Sequence, residues 1–158
     1  MQLSSAPFVA DDYTWHVWVK TTGDGTPRGQ DGLHLLSRDL LKLGRLYLQG
    51  GVWEGERILP RSWIDASFEP WTETNWEGSR YGFQWWMYPY SPSGDPSRPY
   101  GLIAASGYGG HKLFLVPEMD LAVVFFGCTT EGYDCGISDT VPEAVMYNYI
   151  LPAIAEGR

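Results

Sequence analysis

The sequence is poor in positive charge, in cysteine and in long apolar runs. Its 158 residues contain 11 Lys and Arg against 19 Asp and Glu, which gives a net charge of −8 at pH 7. Because such a surface repels phosphate groups, we expect no nucleic-acid partner and no anionic membrane surface. The longest apolar run, Leu121–Phe126, is far shorter than the roughly 20 residues of a membrane-spanning helix. We therefore expect no membrane span.

Cysteine occurs only twice, at Cys128 and Cys135. A bridge between them would contribute about 2–3 kcal/mol in an oxidising compartment. One pair says little about the compartment, so the bridged and the reduced state both remain open. The spacing of the two cysteines is not typical of a zinc site, and the three His residues are scattered along the chain. We expect no metal and no cofactor.

Aromatic residues and glycine, in contrast, are abundant. The chain has 8 Trp, 10 Tyr and 19 Gly, with 44% hydrophobic and 19% charged residues. This composition is typical of a packed domain rather than a disordered segment. The length suits one domain of about 100–200 residues. We therefore expect residues 1–158 to contribute to a single domain with its own core.

Helical patterns lie at three places. The clearest helix is bounded by Ser37 as N-cap and by Gly50–Gly51 at its end. A second, short helix is expected with Pro60 at its first position. The third runs from about Thr140 to Glu156, and Pro152 would end or kink it.

Strand patterns fill most of the region before the last helix. Tyr81–Tyr88 has the composition of one strand, and residues 69–80 have that of a loop. Three closely spaced strands are expected at 101–106, 111–116 and 121–126. Their short connections favour antiparallel pairing, because a parallel crossover takes about a dozen residues or more. The sequence thus predicts an α+β fold, an antiparallel β-meander flanked by helices.

The most informative segment for function is the glycine-rich stretch within Ala104–Pro117. Gly107, Gly109 and Gly110 lie between two predicted strands and would let backbone N–H groups approach a ligand. The spacing fits neither a dinucleotide-binding loop, nor a P-loop, nor a G-x-S-x-G nucleophile elbow. From the spacing alone, a hairpin that binds nothing is the simpler interpretation. His111 can likewise be an ordinary strand residue bonded to the loop backbone.

Four spaced motifs carry a resemblance to a known family. They are Gly32–Gly51, Gly55–Trp63, Tyr81–Trp86, and Ala105–His111 followed by Pro117–Val124. In this order the chain resembles the serine β-lactamase-related, penicillin-binding-protein-like hydrolases. These include class C β-lactamases, D-alanyl-D-alanine carboxypeptidases, esterases and 6-aminohexanoate-dimer hydrolases. The resemblance implies the C-terminal part of the β-lactamase/transpeptidase-like fold and chemistry through an acyl-serine intermediate.

Two motifs of that family are missing from the chain. None of the three Lys residues follows a Ser by three positions, so the nucleophile motif S-x-x-K is absent. Neither Asn follows a Tyr by two positions, so Tyr-x-Asn is absent as well. The resemblance therefore implies that residues 1–158 are a single partial domain. Its expected partner is a complementary N-terminal segment that carries the nucleophile, and without that segment the chain is expected to be inactive.

By the same resemblance, the third family motif falls on Ala105–Ser106–Gly107. This implies that the Ser106 hydroxyl contacts the substrate or the residues of the second motif. It also implies that the Tyr108 N–H is an oxyanion-hole donor, worth about 3–4 kcal/mol. Ala105 stands where the family commonly has a cation, which favours a small ester or amide over a carboxylate-bearing antibiotic. Of the neighbours Trp85 and Trp86, only one can face the site. The residues expected at the substrate are Ala105, Gly107, Gly109, Gly110, His111 and Trp86.

Two other functions remain open at this point. An acidic, aromatic-rich chain could be a carbohydrate- or partner-binding module, in which exposed rings stack on sugars or on another protein. It could also be a pseudoenzyme whose sheet serves a partner without catalysis. Glycan binding would favour the module, and an S-x-x-K encoded upstream would favour the hydrolase.

Overall fold

The computed structural model describes seven stretches of the chain, residues 3–5, 18–28, 32–76, 78–94, 96–97, 99–127 and 140–156. Cys128 and Cys135 lie outside these stretches, so the structure does not decide between the bridged and the reduced state. Within the stretches, no helix combines the length and the apolar character needed to cross a membrane.

Short strands and a few helices make up the described chain. The strands are β1 Leu3–Ser5, β2 Trp18–Lys20, β3 Leu33–His34, β4 Val52–Trp53, β5 Glu56–Arg57, β6 Thr72–Glu73, β7 Arg80–Gly82, β8 Trp85–Tyr88, β9 Leu102–Gly107, β10 His111–Val116 and β11 Leu121–Phe125. The helices are α1 Ser37–Leu48, α2 Arg61–Ser67, α3 Val141–Val145 and α4 Leu151–Glu156, with a 3-10 turn at Pro117–Met119 and a π-helical turn at Met146–Ile150.

The central feature is a six-stranded sheet in the order β11-β10-β9-β8-β7-β6. In this order, strands that are adjacent in space are also consecutive in the sequence. Every neighbouring pair is antiparallel, so the sheet is a meander. The prediction of an α+β fold with an antiparallel meander is confirmed, and the three predicted strands between residues 101 and 126 are its best-paired members.

Helices cover both faces of the sheet. Since side chains alternate between the faces along each strand, each central strand contributes apolar side chains to both sides. On one face Phe114 and Leu102 are fully buried against Met146 and Leu151 of the C-terminal helical segment. On the other face, buried side chains of β8, β9 and β10 pack against α1. Burial of each large apolar side chain contributes about 1.5–3 kcal/mol. The central strands are thereby fixed from both sides.

Two predicted helix starts are wrong by one residue. Leu36, not Ser37, is the N-cap of α1, and no side chain caps that helix end. Pro60 is the N-cap of α2 rather than its first residue, with an extended ψ of 140°. In both cases the preceding extended residue, rather than a capping side chain, sets where the helix begins.

The predicted single strand over residues 81–88 is wrong, because the chain folds back in its middle. Phe83 and Gln84 have φ values of 42° and 73° and connect β7 to β8 as a two-residue hairpin turn. Turns with two positive φ values usually contain Asn or Gly, and this one contains neither, so the sequence carries no turn signal there. The predicted loop at 69–80 likewise contains β6 and the first residue of β7.

Pro152 does not end the last helix, which continues through α4 to Glu156. The five residues before α4, Met146–Ile150, form a π-helical turn. Proline has no N–H and its ring crowds the carbonyl four residues earlier, so a wider turn ahead of it accommodates the ring. The helix thus passes Pro152, and a π-helical turn lies directly ahead of the segment that contains the proline.

Candidate functional site

The β9–β10 hairpin holds all the predicted site residues except Trp86, which lies on β8. Its turn, residues 108–110, places Gly109 and Gly110 at φ values of 77° and 80°, which residues with a side chain rarely adopt. The turn also rests on Gly127, where an added Cβ would lie 1.7 Å from the Gly109 carbonyl oxygen. The glycines are thus required by the shape of the turn and by its close packing.

The end of β9 extends beyond the paired part of β8. The β8–β9 ladder stops at Trp86 opposite Ala104, whereas the β9–β10 ladder continues to Gly107 opposite His111. A cavity of about 170 Å³ lies here and is called the β9-end cavity below. Its walls are Trp76, Trp86, Tyr88, Ser106, Gly107, Tyr108 and Lys112.

The structure divides the predicted site residues between the two faces of the sheet. Trp86, Ser106, Gly107 and Tyr108 meet at the β9-end cavity. Ala105 and His111 lie instead along a cleft of about 620 Å³ on the α1 side, which Ser106 and Gly107 also border. Gly109 and Gly110 form the turn beyond both. Ser106 and Gly107 border both openings, and Lys112 borders both as well.

The two neighbouring tryptophans face opposite sides of the sheet. Trp85 is buried and its ring centre lies 4.8 Å from that of Tyr47 and 5.6 Å from that of Phe68. Trp86 is half-buried and contacts the rings of Trp76 and Tyr81. Of these two neighbours, only Trp86 borders the β9-end cavity.

Lys112 is the site residue that the sequence analysis missed. Its side chain is only 3% exposed, and its Nζ donates a hydrogen bond to the Ser106 Oγ. The same Nζ lies 3.1 Å from Oε1 of Glu143, on α3. The contact between Lys112 and Ser106 could have been predicted from the pairing register of β9 and β10. A three-residue turn after Gly107 places Lys112 directly opposite Ser106.

Glu143 connects this lysine to the C-terminal helical segment. Besides Lys112, the hydroxyl of Tyr88 lies within 3.4 Å of Glu143 Oε1 and donates to it. The second oxygen of Glu143 is buried and accepts no hydrogen bond from the described residues. Tyr88, Glu143 and Tyr147 also border a cleft of about 610 Å³. A charge pair and two phenols are therefore clustered behind Ser106.

Burial is the main cause that raises the pKa of Tyr88 and of Tyr147, and the negative charge of Glu143 is the second. The pKa of Tyr147 rises to about 12. A phenol whose pKa is raised by folding stabilises the protein below its ordinary pKa of 10.0, and this stability is lost as the pH rises towards 12.

The ionisation of Tyr147 can be followed as the difference in tyrosinate absorbance between the original chain and Y147F. We expect this difference to develop near pH 12, at a pH where circular dichroism still shows a folded chain. Its development near pH 10 in the folded chain would contradict the assignment.

Metal ligands do not cluster at this site. Across the described residues, no group of three or more His, Cys, Asp or Glu side chains is close enough to hold a metal ion. The arrangement offers instead a hydroxyl, an ammonium, a carboxylate and the backbone amides of a glycine-rich turn. The hydroxyl, the ammonium and the amides can donate hydrogen bonds to an oxygen that gains negative charge, whereas the carboxylate can only accept them.

The chain is similar to known proteins both in sequence and in structure, although no family model matches it. The chain is 30% identical over 118 residues to a 6-aminohexanoate-dimer hydrolase of Paenarthrobacter ureafaciens, a match that covers 68% of this chain and 27% of the relative. A solved structure from Bacillus anthracis, provisionally assigned as a 6-aminohexanoate-dimer hydrolase, superposes with a TM-score of 0.65 at 19% identity. It covers 89% of this chain and 34% of the other.

The sequence match agrees with the resemblance to this family, and the structural match agrees with the α+β fold. The chain spans about a quarter of the length of the curated relative, and at 19% identity the solved structure shows the fold alone. The chain belongs to the β-lactamase-like serine hydrolase family.

Proposed function

We propose that this chain is the C-terminal part of a serine hydrolase that acts on a small ester or amide through an acyl-serine intermediate. The observation that carries the proposal is the end of β9, where Ser106, Gly107 and Tyr108 extend past β8 and border an open cavity. A strand end of this kind can receive the acyl group of a substrate alongside its backbone. The nucleophile comes from a complementary N-terminal segment.

The chemistry assigned to this chain is stabilisation of the oxyanion. When a serine oxygen attacks the acyl carbon, the carbonyl oxygen becomes negatively charged, and a backbone N–H aimed at it is worth about 3–4 kcal/mol. The Tyr108 N–H would be that donor, since it follows the strand end directly. The exposed Tyr108 side chain, at 93% exposure, leaves the role to the backbone.

The substrate class follows from Ala105 and from the curated relative. Without a cation at position 105, a substrate carboxylate gains no charge-assisted hydrogen bond there. The relative is by its name a hydrolase of the 6-aminohexanoate dimer. We therefore propose a linear amide or a small ester rather than a β-lactam as the substrate.

The test joins this chain to an N-terminal segment of a family member that carries S-x-x-K. We expect the joined protein, called the assembled hydrolase below, to hydrolyse a p-nitrophenyl ester and to be labelled by a fluorophosphonate on the serine of S-x-x-K. The chain by itself should show neither turnover nor labelling. A Ser→Ala change in the added motif is the matched control. Stoichiometric labelling of the chain by itself would overturn the proposal.

A second candidate function is a binding module for carbohydrate or for a protein partner. Trp63, Trp71 and Phe83 are 48%, 63% and 44% exposed, and their rings form one exposed cluster with centre distances of 5.3 and 6.0 Å. Exposed rings of this kind stack on sugars. Binding to a glycan array that W71A abolishes, in the absence of any hydrolysis by the assembled hydrolase, would favour this second function.

A further inference from the structure

Lys112 occupies a position at which an isolated charge would be strongly unfavourable. Its side chain is 3% exposed, and the rest of β10 from Leu113 to Val116 is apolar and buried. Taking an ammonium out of water costs several kcal/mol unless a counter-charge and hydrogen bonds compensate it. Both are present here, because Glu143 lies 3.1 Å away and Ser106 Oγ accepts a hydrogen bond.

The direction of the Lys112–Ser106 hydrogen bond decides what Ser106 can do. An ammonium has only protons to offer, whereas a serine hydroxyl has one proton and two lone pairs. Oγ must therefore accept from Lys112, and the hydroxyl proton of Ser106 must point elsewhere. Hydrogen bonds in a chain polarise one another, so a hydroxyl that accepts from a cation becomes a stronger donor.

We propose that Lys112 is a positioning residue that holds the Ser106 hydroxyl as a donor for an acceptor oxygen of the substrate. The inference rests on the proposed function and specifies that the ester or amide substrate presents a carbonyl oxygen to Ser106. Lys112 does not itself replace the cation missing at Ala105, because it is buried and neutralised by Glu143. Its effect on the substrate is assigned to the Ser106 hydroxyl.

The first measurement uses the chain by itself and follows the Lys112 ammonium by nuclear magnetic resonance after lysine labelling. In S106A the ammonium loses its acceptor but keeps Glu143, so we expect its protons to exchange about tenfold faster, the factor that corresponds to about 1.4 kcal/mol. S106T retains the hydroxyl and is the matched control, with exchange close to that of the original chain. An ammonium signal that S106A leaves unchanged would overturn the contact and the inference with it.

The second measurement uses the assembled hydrolase and compares S106A with K112M/E143M. The charge pair is removed as a unit, because one charge left alone in the interior would disturb the fold. We expect each variant to lower kcat about tenfold or more, by loss of about one hydrogen bond to the transition state, with KM nearly unchanged. The triple variant should lose nothing further than S106A, since Lys112 acts through the Ser106 hydroxyl and S106A has already removed that hydroxyl.

The outcomes separate this inference from the proposed function. A merely structural role of Lys112 predicts that the losses multiply in the triple variant, and that result would overturn the inference while hydrolysis itself persists. Absence of hydrolysis in the unchanged assembled hydrolase would overturn the proposed function, and the ammonium signal in S106A would still decide whether Lys112 holds Ser106. Faster exchange in S106A together with non-additive losses in kcat supports the inference.

Discussion

Replacing Lys112 with methionine is expected to lower the free energy of unfolding of the chain by about 3–5 kcal/mol. The substitution leaves the carboxylate of Glu143 buried opposite an apolar side chain, with one of its oxygens already lacking a hydrogen bond from the described residues. An uncompensated buried charge is more costly than the loss of the lysine's own contacts. Urea unfolding of the original chain and of K112M, followed by tryptophan fluorescence, measures the difference.

Two further variants separate this effect from an ordinary loss of a salt bridge. Arg61 and Asp65 form an ion pair at 2.8 Å with side chains 68% and 54% exposed, so R61M is expected to cost less than about 1 kcal/mol. In K112M/E143M no charge is left unpaired, and most of the stability should return. A K112M chain as stable as R61M would show that Glu143 finds compensation without Lys112.

The sheet was predictable where its strands follow one another through short turns. The strands around residues 101–126 are rich in β-branched and apolar residues, and their connections are too short for a parallel crossover. The hairpin at Phe83 and Gln84 was not predictable, because neither residue is typical of a turn with positive φ values. That fold-back is imposed by tertiary packing rather than by local preference.

The site was predictable only in part, for a similar reason. The motif places Ser106 and Tyr108 at the strand end, and the pairing register places Lys112 opposite Ser106. Glu143 carried no local signal, because its contact with Lys112 depends on how the C-terminal helical segment docks on the sheet. The alternation of side chains along β9 also separates Ala105 from Ser106, although the sequence motif joins them.

Replacing Gly127 with alanine is expected to destabilise the chain by about 3 kcal/mol and to displace the turn at residues 108–110. The new Cβ would lie 1.7 Å from the carbonyl oxygen of Gly109 and 2.8 Å from its carbonyl carbon. These are backbone atoms, and they belong to a residue already held at a positive φ, so no side-chain rotation relieves the overlap. Urea unfolding and the amide resonances of Tyr108–Gly110 measure both effects.

The displacement matters more for activity than for folding. The proposed oxyanion donor, the Tyr108 N–H, begins the same turn, and an error of about 1 Å in the position of a catalytic group can cost about a hundredfold in rate. In the assembled hydrolase, G127A should therefore lose activity even under conditions where it remains folded. Gly23 has no atom within 4 Å of its ideal Cβ position, and G23A should change stability by less than about 1 kcal/mol. Equal stability of G127A and G23A would mean that the turn does not rest on Gly127 in solution.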